Sequence, residues 1–279
     1  MFSIIIPTFN NLNYLKLCLS SIKKNSLYDH EIIIHINEGS DGTKDFIKSN
    51  EVIHTYSDRN IGLCSGVNLA AKKATNDYIL YSHDDMYFCP GWDTVFCNEI
   101  KNSSKEDFFI SGTMVQNFGT YIKLDCGKTY KDFNEEKLLK ELPKIKFNDY
   151  QGSHWQPSLI PLKTWNRVGG FSLEFTPGIG SDPDFNMKLW KIGVRLFKGL
   201  GNCRVYHFSS VTLRKRVSNN GAKTFLLKWG ITIKFFRKYY LRTDTTFNGE
   251  LKEPDKTFSY YLNLLKCKFS FAYFYILKN

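Results

Sequence analysis

The stretch that decides the fold is residues 78–85, YILYSHDD, in which a short apolar run is followed by a histidine and two aspartates. The run Tyr78–Ser82 has the length and composition of a buried strand, so His83, Asp84 and Asp85 stand at its carboxyl end. Adjacent carboxylates are unfavourable unless a cation neutralises them, and oxygen ligands suit Mg²⁺ or Mn²⁺. Because an acidic pair alone more often forms a turn or a helix cap, its position in the fold decides its meaning.

Upstream of this stretch, apolar strands alternate with helices. Further strands are predicted at residues 3–7, 31–36 and 52–56, and helices at residues 12–25 and 64–74, with a short helix before the third strand. This rhythm predicts an α/β fold with a mostly parallel, doubly wound sheet flanked by helices. Ligands of such sheets bind beyond the carboxyl ends of the strands, so the loops there should converge on one crevice.

The second half of the chain is less regular. Strands are predicted within residues 107–125 and at 203–208, and helices at 134–141 and 183–192. Residues 143–165 form a segment that carries prolines and aromatic residues. The sequence contains no internal repeat and no low-complexity run.

The net charge of +11 over 279 residues is unevenly distributed. Residues 222–279 contain 11 lysines and arginines against 4 aspartates and glutamates, with 15 of the 44 aromatic residues. One helical face there is apolar and lysines lie opposite; the apolar residues are Leu226, Trp229, Ile233, Phe236 and Tyr240, and the lysines are Lys223, Lys234 and Lys238. This pattern suits a helix lying on anionic lipid, whereas docking of that helix on the protein's own core is the alternative.

The cysteine content and the termini bear on location. The seven cysteines are odd in number and show no paired short spacing, which predicts reduced thiols in a cytoplasmic protein. We expect no signal peptide before the first strand, since residues 1–6 lead directly into that strand and no apolar stretch reaches the roughly 18–20 residues that span a bilayer. We therefore expect a cytoplasmic protein, peripheral on the cytoplasmic face of a membrane.

Several motifs occur in a defined order along the chain. They are, in order, Pro7-Thr8-Phe9-Asn10, Glu38-Gly39-Ser40-Asp41-Gly42-Thr43, Asn60-Ile61-Gly62 with Asn68, His83-Asp84-Asp85, and Pro90-Gly91-Trp92. This order of motifs resembles a family-2 glycosyltransferase of the GT-A fold. The resemblance covers residues 2–210. It departs from the family at Asn37-Glu38, where two aspartates are usual, and at Ser181, where a glutamate is usual.

The resemblance implies a nucleotide-sugar site. The loops that carry Pro7, Thr8, Phe9, Asn10 and Glu38 would hold the nucleobase and ribose. A carboxylate such as Glu38 can accept the imide N–H of a pyrimidine, which favours a UDP-sugar.

Other positions are implied to contact the remaining parts of the donor. Backbone N–H groups near Asn60 and Gly62 would approach ribose or phosphate, and Asn68 belongs to the same motif. Asp84 would reach the ribose or a metal-bound water. Arg214, with Lys215 and Arg216, would stabilise the leaving diphosphate, although a charge run is more often a solvated face.

The resemblance also implies a metal site and a general base. Asp85 would bind Mn²⁺ or Mg²⁺, and His207, after a late strand, would complete the site. Asp182 would take the proton from an acceptor hydroxyl, although it also fits a helix cap with Pro183 in the first turn. His154 and Trp155 lie where such proteins bind the acceptor, and core packing is the alternative for Trp155.

Together these features predict an inverting, metal-dependent, hexosyltransferase-type enzyme. It would move a sugar to a saccharide or lipid-linked acceptor in polysaccharide or glycan synthesis. Residues 1–220 would form the catalytic domain, with a nucleotide-sugar half (1–100) and an acceptor half (101–220), and residues 221–279 a C-terminal helical region.

Three other functions are alternatives to this prediction. A sugar nucleotidyltransferase would need a Gly-rich, basic loop after the first strand, and Pro7-Thr8-Phe9-Asn10 is neither. A catalytically degenerate binding module at a membrane or glycan stays open because of the departures from the family pattern. Nucleic acid is not an expected partner, since only the basic C-terminal region would support it.

Overall fold

The sheet is organised around β1 (Ser3–Phe9), which pairs in parallel with a strand on each side. Its neighbours are β2 (Glu31–Asn37) and β4 (Tyr78–Tyr81), and β2 pairs in parallel with β3 (Ile53–Ser57). Ile4, Ile5 and Ile6 are completely buried, as expected of a parallel strand that is covered on both faces. This computed structural model describes residues 1–119, 121–152, 155–208, 219–243 and 245–276.

Helices connect these strands and cover the sheet, which confirms the predicted α/β fold. They are α1 (Leu12–Asn25), α2 (Thr43–Ser49) and α3 (Gly62–Ala71). Leu15, Cys18 and Ile22 of α1 are buried at helical spacing against one face of the sheet. The predicted helix at residues 12–25 is confirmed, and that at 64–74 begins two residues earlier and ends at Ala71.

The second half of the chain extends the sheet to ten strands. Its elements are β5 (Met86–Phe88), α4 (Trp92–Asn102), β6 (Phe108–Gln116), β7 (Ile122–Lys123), α5 (Glu135–Glu141), β8 (Tyr150–Gln151), β9 (Ser158–Pro161), α6 (Leu162–Val168), α7 (Ser181–Lys191) and β10 (Leu196–His207). The main strand order is β3-β2-β1-β4-β9-β6-β10-β5. β9 runs antiparallel to β4 and β6, and β5 and β8 run antiparallel to β10. The parallel pairing therefore dominates the first half, and the second half is mixed.

Residues after 220 contribute to the same core. They form α8 (Gly221–Trp229), α9 (Ile233–Phe236), a π-helical turn at Arg237–Leu241, and α10 (Phe258–Ile276). Phe225 and Phe236 are fully buried in the cluster that contains Trp165 and Phe185. The apolar face predicted for lipid, which includes Leu226 and Phe236, thus packs on the protein itself.

The α10 helix is different, because most of its apolar residues face outward. Only Tyr260 and Cys267 of this helix are buried. Its exposed apolar residues include Leu262, Leu265 and Phe269. Within the described ranges, no helix has both the length and the apolar character needed to cross a membrane. All seven cysteines lie in those ranges and are free thiols.

Candidate active site

A cavity of about 710 Å³ opens at the carboxyl ends of β1, β2 and β4. The loop before α7 and one face of α9 close its other side. Ten of the residues predicted from the sequence line it, namely Pro7, Thr8, Phe9, Asn60, Gly62, Asp84, Asp85, Trp155, Asp182 and His207. Loops that are distant in sequence therefore meet at one crevice, as the predicted sheet requires.

Asp85 and His207 meet because two strands pair. Met86 of β5 lies opposite His207 at the end of β10 in an antiparallel register, which brings the preceding Asp85 alongside the imidazole. His207 Nε2 lies 3.2 Å from Asp85 Oδ1. His83 completes the group, since the three residues offer ligand atoms that all lie within 4.8 Å of one another.

This cluster has the donor set of a transition-metal site. Two imidazoles and one carboxylate suit Mn²⁺ better than Mg²⁺, which prefers oxygen ligands throughout. Burial alone would raise the pKa of Asp85, but the adjacent His207 and His83 outweigh it and hold that pKa below its usual range. The carboxylate is therefore ionised and ready to bind a cation at neutral pH.

Neighbouring side chains orient this cluster. Gln116 on β6 lies with its amide Nε2 2.9 Å from His207 Nδ1, so the imidazole is held through the nitrogen that faces away from Asp85. Thr8 Oγ1 donates a hydrogen bond of 2.7 Å to Asp84 Oδ2, which links the end of β1 to the acidic turn. Thr8 and Asp84 are both buried at the edge of the cavity.

Asp182 lies across the cavity, in the first turn of α7. The helix is capped by Gly180, whose φ is +88°, and no side-chain hydrogen bond caps it. The interpretation of Asp182 as a cap is therefore wrong. Its carboxylate Oδ1 instead accepts a hydrogen bond of 2.7 Å from Gln156 Nε2.

The environment of Asp182 suits a proton acceptor. The side chain is half-buried because it faces the cavity, yet the surrounding protein removes most of its water. This desolvation raises the pKa of Asp182 to about 7, while the hydrogen bond from Gln156 opposes the rise. A carboxylate that titrates near neutrality can accept a proton and release it again.

Gln156 is the hydrogen-bond partner of Asp182, and the sequence offered no candidate for this partner. Ser181 stands where the family pattern has a glutamate, and its hydroxyl donates a hydrogen bond of 2.7 Å to Gly178 O rather than contacting Asp182. Gln156 is 3% exposed and contacts Asp182 directly. The motif positions gave no sign of this partner, because the two residues come from different parts of the chain.

Three predicted residues that the structure describes, Asn10, Glu38 and Asn68, are not among those that line the cavity. Asn10 Nδ2 donates to Glu38 Oε1 at 3.3 Å, and both residues have positive φ values, 46° and 66°, in the loops beside the cavity. Asn37 lines the cavity in place of Glu38, and its Oδ1 accepts a hydrogen bond of 2.9 Å from Ile61 N.

Asn68 has a structural contact. Its amide nitrogen donates a hydrogen bond of 2.8 Å to Phe171 O, and its amide oxygen accepts one of 2.8 Å from Phe171 N. These two bonds connect α3 to the residue that follows the Gly169-Gly170 turn. His154 and Arg214 lie outside the residues that the structure describes.

The C-terminal region supplies a wall of the cavity that the sequence did not predict. Ile233, Arg237 and Leu241 line it, and their four-residue spacing places them on one helical face. The Arg237 guanidinium carbon lies 6.0 Å from the centre of the Trp155 ring. Trp155 Nε1 in turn donates a hydrogen bond of 3.0 Å to Tyr121 Oη.

Comparison with known proteins identifies the family of this chain. The model of the family described as glycosyl transferase family 2 matches residues 3–153, more than half of the chain. This chain therefore belongs to glycosyl transferase family 2, and the predicted resemblance is confirmed.

Individual relatives are more distant. The chain is 24% identical over 221 residues to a hyaluronan synthase of Pasteurella multocida, which covers 76% of this chain and 21% of that protein. It is 24% identical over 250 residues to a chondroitin synthase of Escherichia coli, covering 74% of this chain and 34% of that protein. The chain thus spans about a third or less of these relatives.

Solved structures confirm the GT-A fold. The structure of residues 1–349 of TarS from S. aureus in complex with UDP-GlcNAc aligns with a TM-score of 0.58 at 16% identity, covering 84% of this chain and 66% of that one. The corresponding complex with UDP aligns with a TM-score of 0.57 at 14% identity, covering 84% and 65%.

Proposed function

We propose that this protein is an inverting glycosyltransferase that moves a sugar from a nucleotide-sugar to a hydroxyl of a saccharide or lipid-linked acceptor. One observation carries this proposal. Asp182, with a pKa near 7, and the cluster of His83, Asp85 and His207 face the same cavity. A base and a cation-binding group on either side of one enclosed space are what a direct displacement at a sugar carbon requires.

In this mechanism Asp182 acts as the general base. It accepts the proton of the acceptor hydroxyl while that oxygen forms a bond to the anomeric carbon of the donor sugar. The bond from the anomeric carbon to the phosphate oxygen breaks, and the nucleoside diphosphate leaves with the bonding electrons. Gln156 holds the carboxylate in place through the 2.7 Å hydrogen bond. Because attack and departure occur on opposite faces, the anomeric configuration inverts.

The donor set supports a metal dependence on Mn²⁺ rather than Mg²⁺. Asp85, His83 and His207 would hold the ion, with Asp84 close by. Such an ion would supply positive charge that neutralises the diphosphate leaving group. Gln116 and Thr8 would keep the ligand side chains in position.

A uridine nucleotide is the proposed donor. The ends of β1 and β2 border the cavity, and Asn37, which precedes Glu38 in the chain, is one of its lining residues. Structural neighbours have been solved with UDP and UDP-GlcNAc, which supports this choice of base. The names of the relatives, hyaluronan and chondroitin synthases, support a role in polysaccharide synthesis.

We assign residues 1–220 to the catalytic domain and propose that residues 221–279 both complete the cavity and contact a membrane. Arg237 and Leu241 supply the cavity wall. The outward apolar face of α10 is flanked by Lys266 and Lys268, and the helix contains no acidic residue. An apolar stripe between lysines matches the interface of a membrane with anionic lipid.

The proposal is tested by screening UDP-, GDP- and dTDP-sugars for thermal stabilisation and hydrolysis with and without Mn²⁺. We expect UDP-sugars to stabilise the protein and to be hydrolysed slowly, in both cases only with the metal. Absence of nucleotide binding with Mn²⁺ present would favour a binding module over an enzyme. Stabilisation without any hydrolysis or transfer would also favour the module.

A further inference from the structure

A second groove adjoins the central cavity. Its volume is about 950 Å³, and it lies between the π-helical turn and the residues that lead into α10. Ile233 and Arg237 line both spaces, so the groove continues outward from the cavity across one shared wall. A molecule that entered the cavity from this side would lie along the groove.

The groove is strongly basic. Four cationic side chains line it, Lys234, Arg237, Lys238 and Arg242, against Asp255 as the acidic residue among its described lining. Lys234 and Lys238 are exposed, whereas Arg237 and Arg242 are half-buried. Because positions 234, 237 and 238 are three or four residues apart on one helical run, their side chains share one face.

These four cations differ from Arg195 and Lys228, two basic residues near the core that have carboxylate partners. Arg195 pairs with Glu253 at 2.7 Å, and Lys228 pairs with Glu174 at 2.8 Å. Within the described ranges, none of the four groove cations has an ion-pair partner. Clustered like charges that outnumber the nearby carboxylates repel each other, so an anionic ligand would relieve the repulsion.

The remaining lining suits a carbohydrate. Threonine hydroxyls and the Asn248 amide can exchange hydrogen bonds with sugar hydroxyls, and Tyr239 offers an aromatic surface. The guanidinium groups of Arg237 and Arg242 favour bidentate contacts with carboxylate, sulfate or phosphate. The lining thus combines sugar contacts with anion contacts.

We infer that this groove binds an anionic stretch of the acceptor, a glycan that bears carboxylate, sulfate or phosphate groups, and aligns its terminal hydroxyl with the central cavity. This inference rests on the proposed transferase function and narrows its acceptor class to acidic glycans. Arg237 is the charged residue shared by the two spaces, and its guanidinium also lies beside Trp155 in the cavity.

The test compares two forms of one oligosaccharide, a hexamer of galacturonic acid and its neutral methyl ester. We expect the acidic hexamer to bind the wild-type protein, with an affinity that falls as salt rises, and the ester to bind at least about tenfold more weakly. The variant Lys234→Gln/Lys238→Gln changes only exposed side chains and should lose roughly tenfold in affinity for the acidic hexamer. The control Lys72→Gln/Lys73→Gln removes the same charge from an exposed site after α3 and should bind like the wild type.

Two outcomes would overturn the inference. Equal affinity for the acid and the ester would show that the groove does not recognise anions. Loss of binding to phosphatidylglycerol vesicles in the Lys234→Gln/Lys238→Gln variant, with unchanged binding of the acidic hexamer, would assign the groove to lipid headgroups instead.

A parallel titration with UDP and Mn²⁺ separates this inference from the proposed function. Neither Lys234 nor Lys238 lines the central cavity, so the variant should bind UDP like the wild type. Normal UDP binding without any binding of the acidic hexamer would refute the inference about the groove and leave the proposed function intact. Failure of the wild-type protein to bind UDP refutes the transferase proposal.

Discussion

His207 Nε2 lies 3.2 Å from Asp85 Oδ1, although the two residues are more than a hundred positions apart in the chain. The antiparallel pairing of β5 with the end of β10 causes this proximity. His83 lies in the same turn as Asp85, so one acidic turn and one strand end suffice to build the cluster.

Removal of His207 should weaken metal-dependent donor binding. In His207→Ala, one of three candidate ligands is lost, and we expect the affinity for UDP in the presence of Mn²⁺ to fall roughly tenfold or more. Calorimetric titration with and without Mn²⁺ measures this. The control His54→Ala changes a histidine on β3 outside the cavity and should leave the affinity unchanged. A His207→Ala protein that binds UDP as tightly as the wild type would contradict the metal assignment.

The pH dependence of transfer should report on Gln156. Asp182 works as a base only when it is deprotonated, so the rate should rise with pH through a value near 7. The hydrogen bond from Gln156 opposes the raised pKa, and its loss in Gln156→Leu should move the acidic limb of the kcat profile to higher pH. The rate at pH 7 should fall, while UDP affinity stays the same. An unshifted profile would show that Gln156 does not act through Asp182.

The Asp182 carboxylate should lower the free energy of unfolding when it is ionised, above about pH 7. The pKa of Asp182 rises from an ordinary value of 3.8 to about 7 on folding, so the folded state binds this proton more tightly than the unfolded state. The favourable contribution of the protonated form is complete below pH 4 and is lost as the pH rises through 7. Asp182→Asn should therefore raise the free energy of unfolding by roughly 1–3 kcal/mol at pH 8 and by much less at pH 4. Urea unfolding at both pH values measures this, and equal effects at both would contradict the raised pKa.

Asn68 should matter for folding rather than for the donor. Both atoms of its amide bond to the backbone of Phe171, and a Cβ on Gly170 would lie 2.4 Å from Asn68 Oδ1. We expect Asn68→Ala to lower the free energy of unfolding by roughly 1–3 kcal/mol, because it leaves buried backbone groups without partners. UDP affinity should not change. Weaker UDP binding at unchanged stability would instead support the role implied by the family resemblance.

The exposed face of α10 should determine binding to lipid. Leu265→Ser/Phe269→Ser removes two outward apolar side chains, which are 48% and 68% exposed, and should reduce sedimentation with phosphatidylglycerol vesicles. The control Leu27→Ser/Leu173→Ser removes exposed leucines elsewhere and should sediment like the wild type. The wild-type protein could instead form a dimer without binding vesicles. If the α10 variant were then monomeric, a second copy would be shown to cover this face.

The sequence predicted the first half of the fold well because its signals are local. Apolar runs, turn residues and helical spacing located β1, α1, β2 and β4, and the loops at the strand ends then had to share one edge of the sheet. Pro7, Asp84 and Asp85 reached the cavity for that reason. The position of β9 was not predictable, since its insertion between β4 and β6 depends on pairing over long sequence separations.

The residues missed in the site have a similar explanation. The sequence did not assign His83 to the metal site, because its ligand atom lies near that of His207 only when β10 is packed in the sheet. Arg237 belongs to an amphipathic stretch that fits lipid and core equally well, and only packing decides which surface it meets. Gln156 carries no charge pattern, so its contact with Asp182 becomes visible only in three dimensions.

The role of Asp182 as the general base is tested most directly by measuring the donor affinity and transfer rate of Asp182→Asn. The substitution keeps the size of the side chain and removes its basicity, so transfer should fall by about 10²–10⁴-fold while UDP affinity with Mn²⁺ stays within about twofold of the wild type. The matched control Asp45→Asn, in the first turn of α2, should leave both values unchanged. Transfer that persists in Asp182→Asn, or a loss of UDP affinity as large as the loss of transfer, would contradict the assignment of Asp182 as the base.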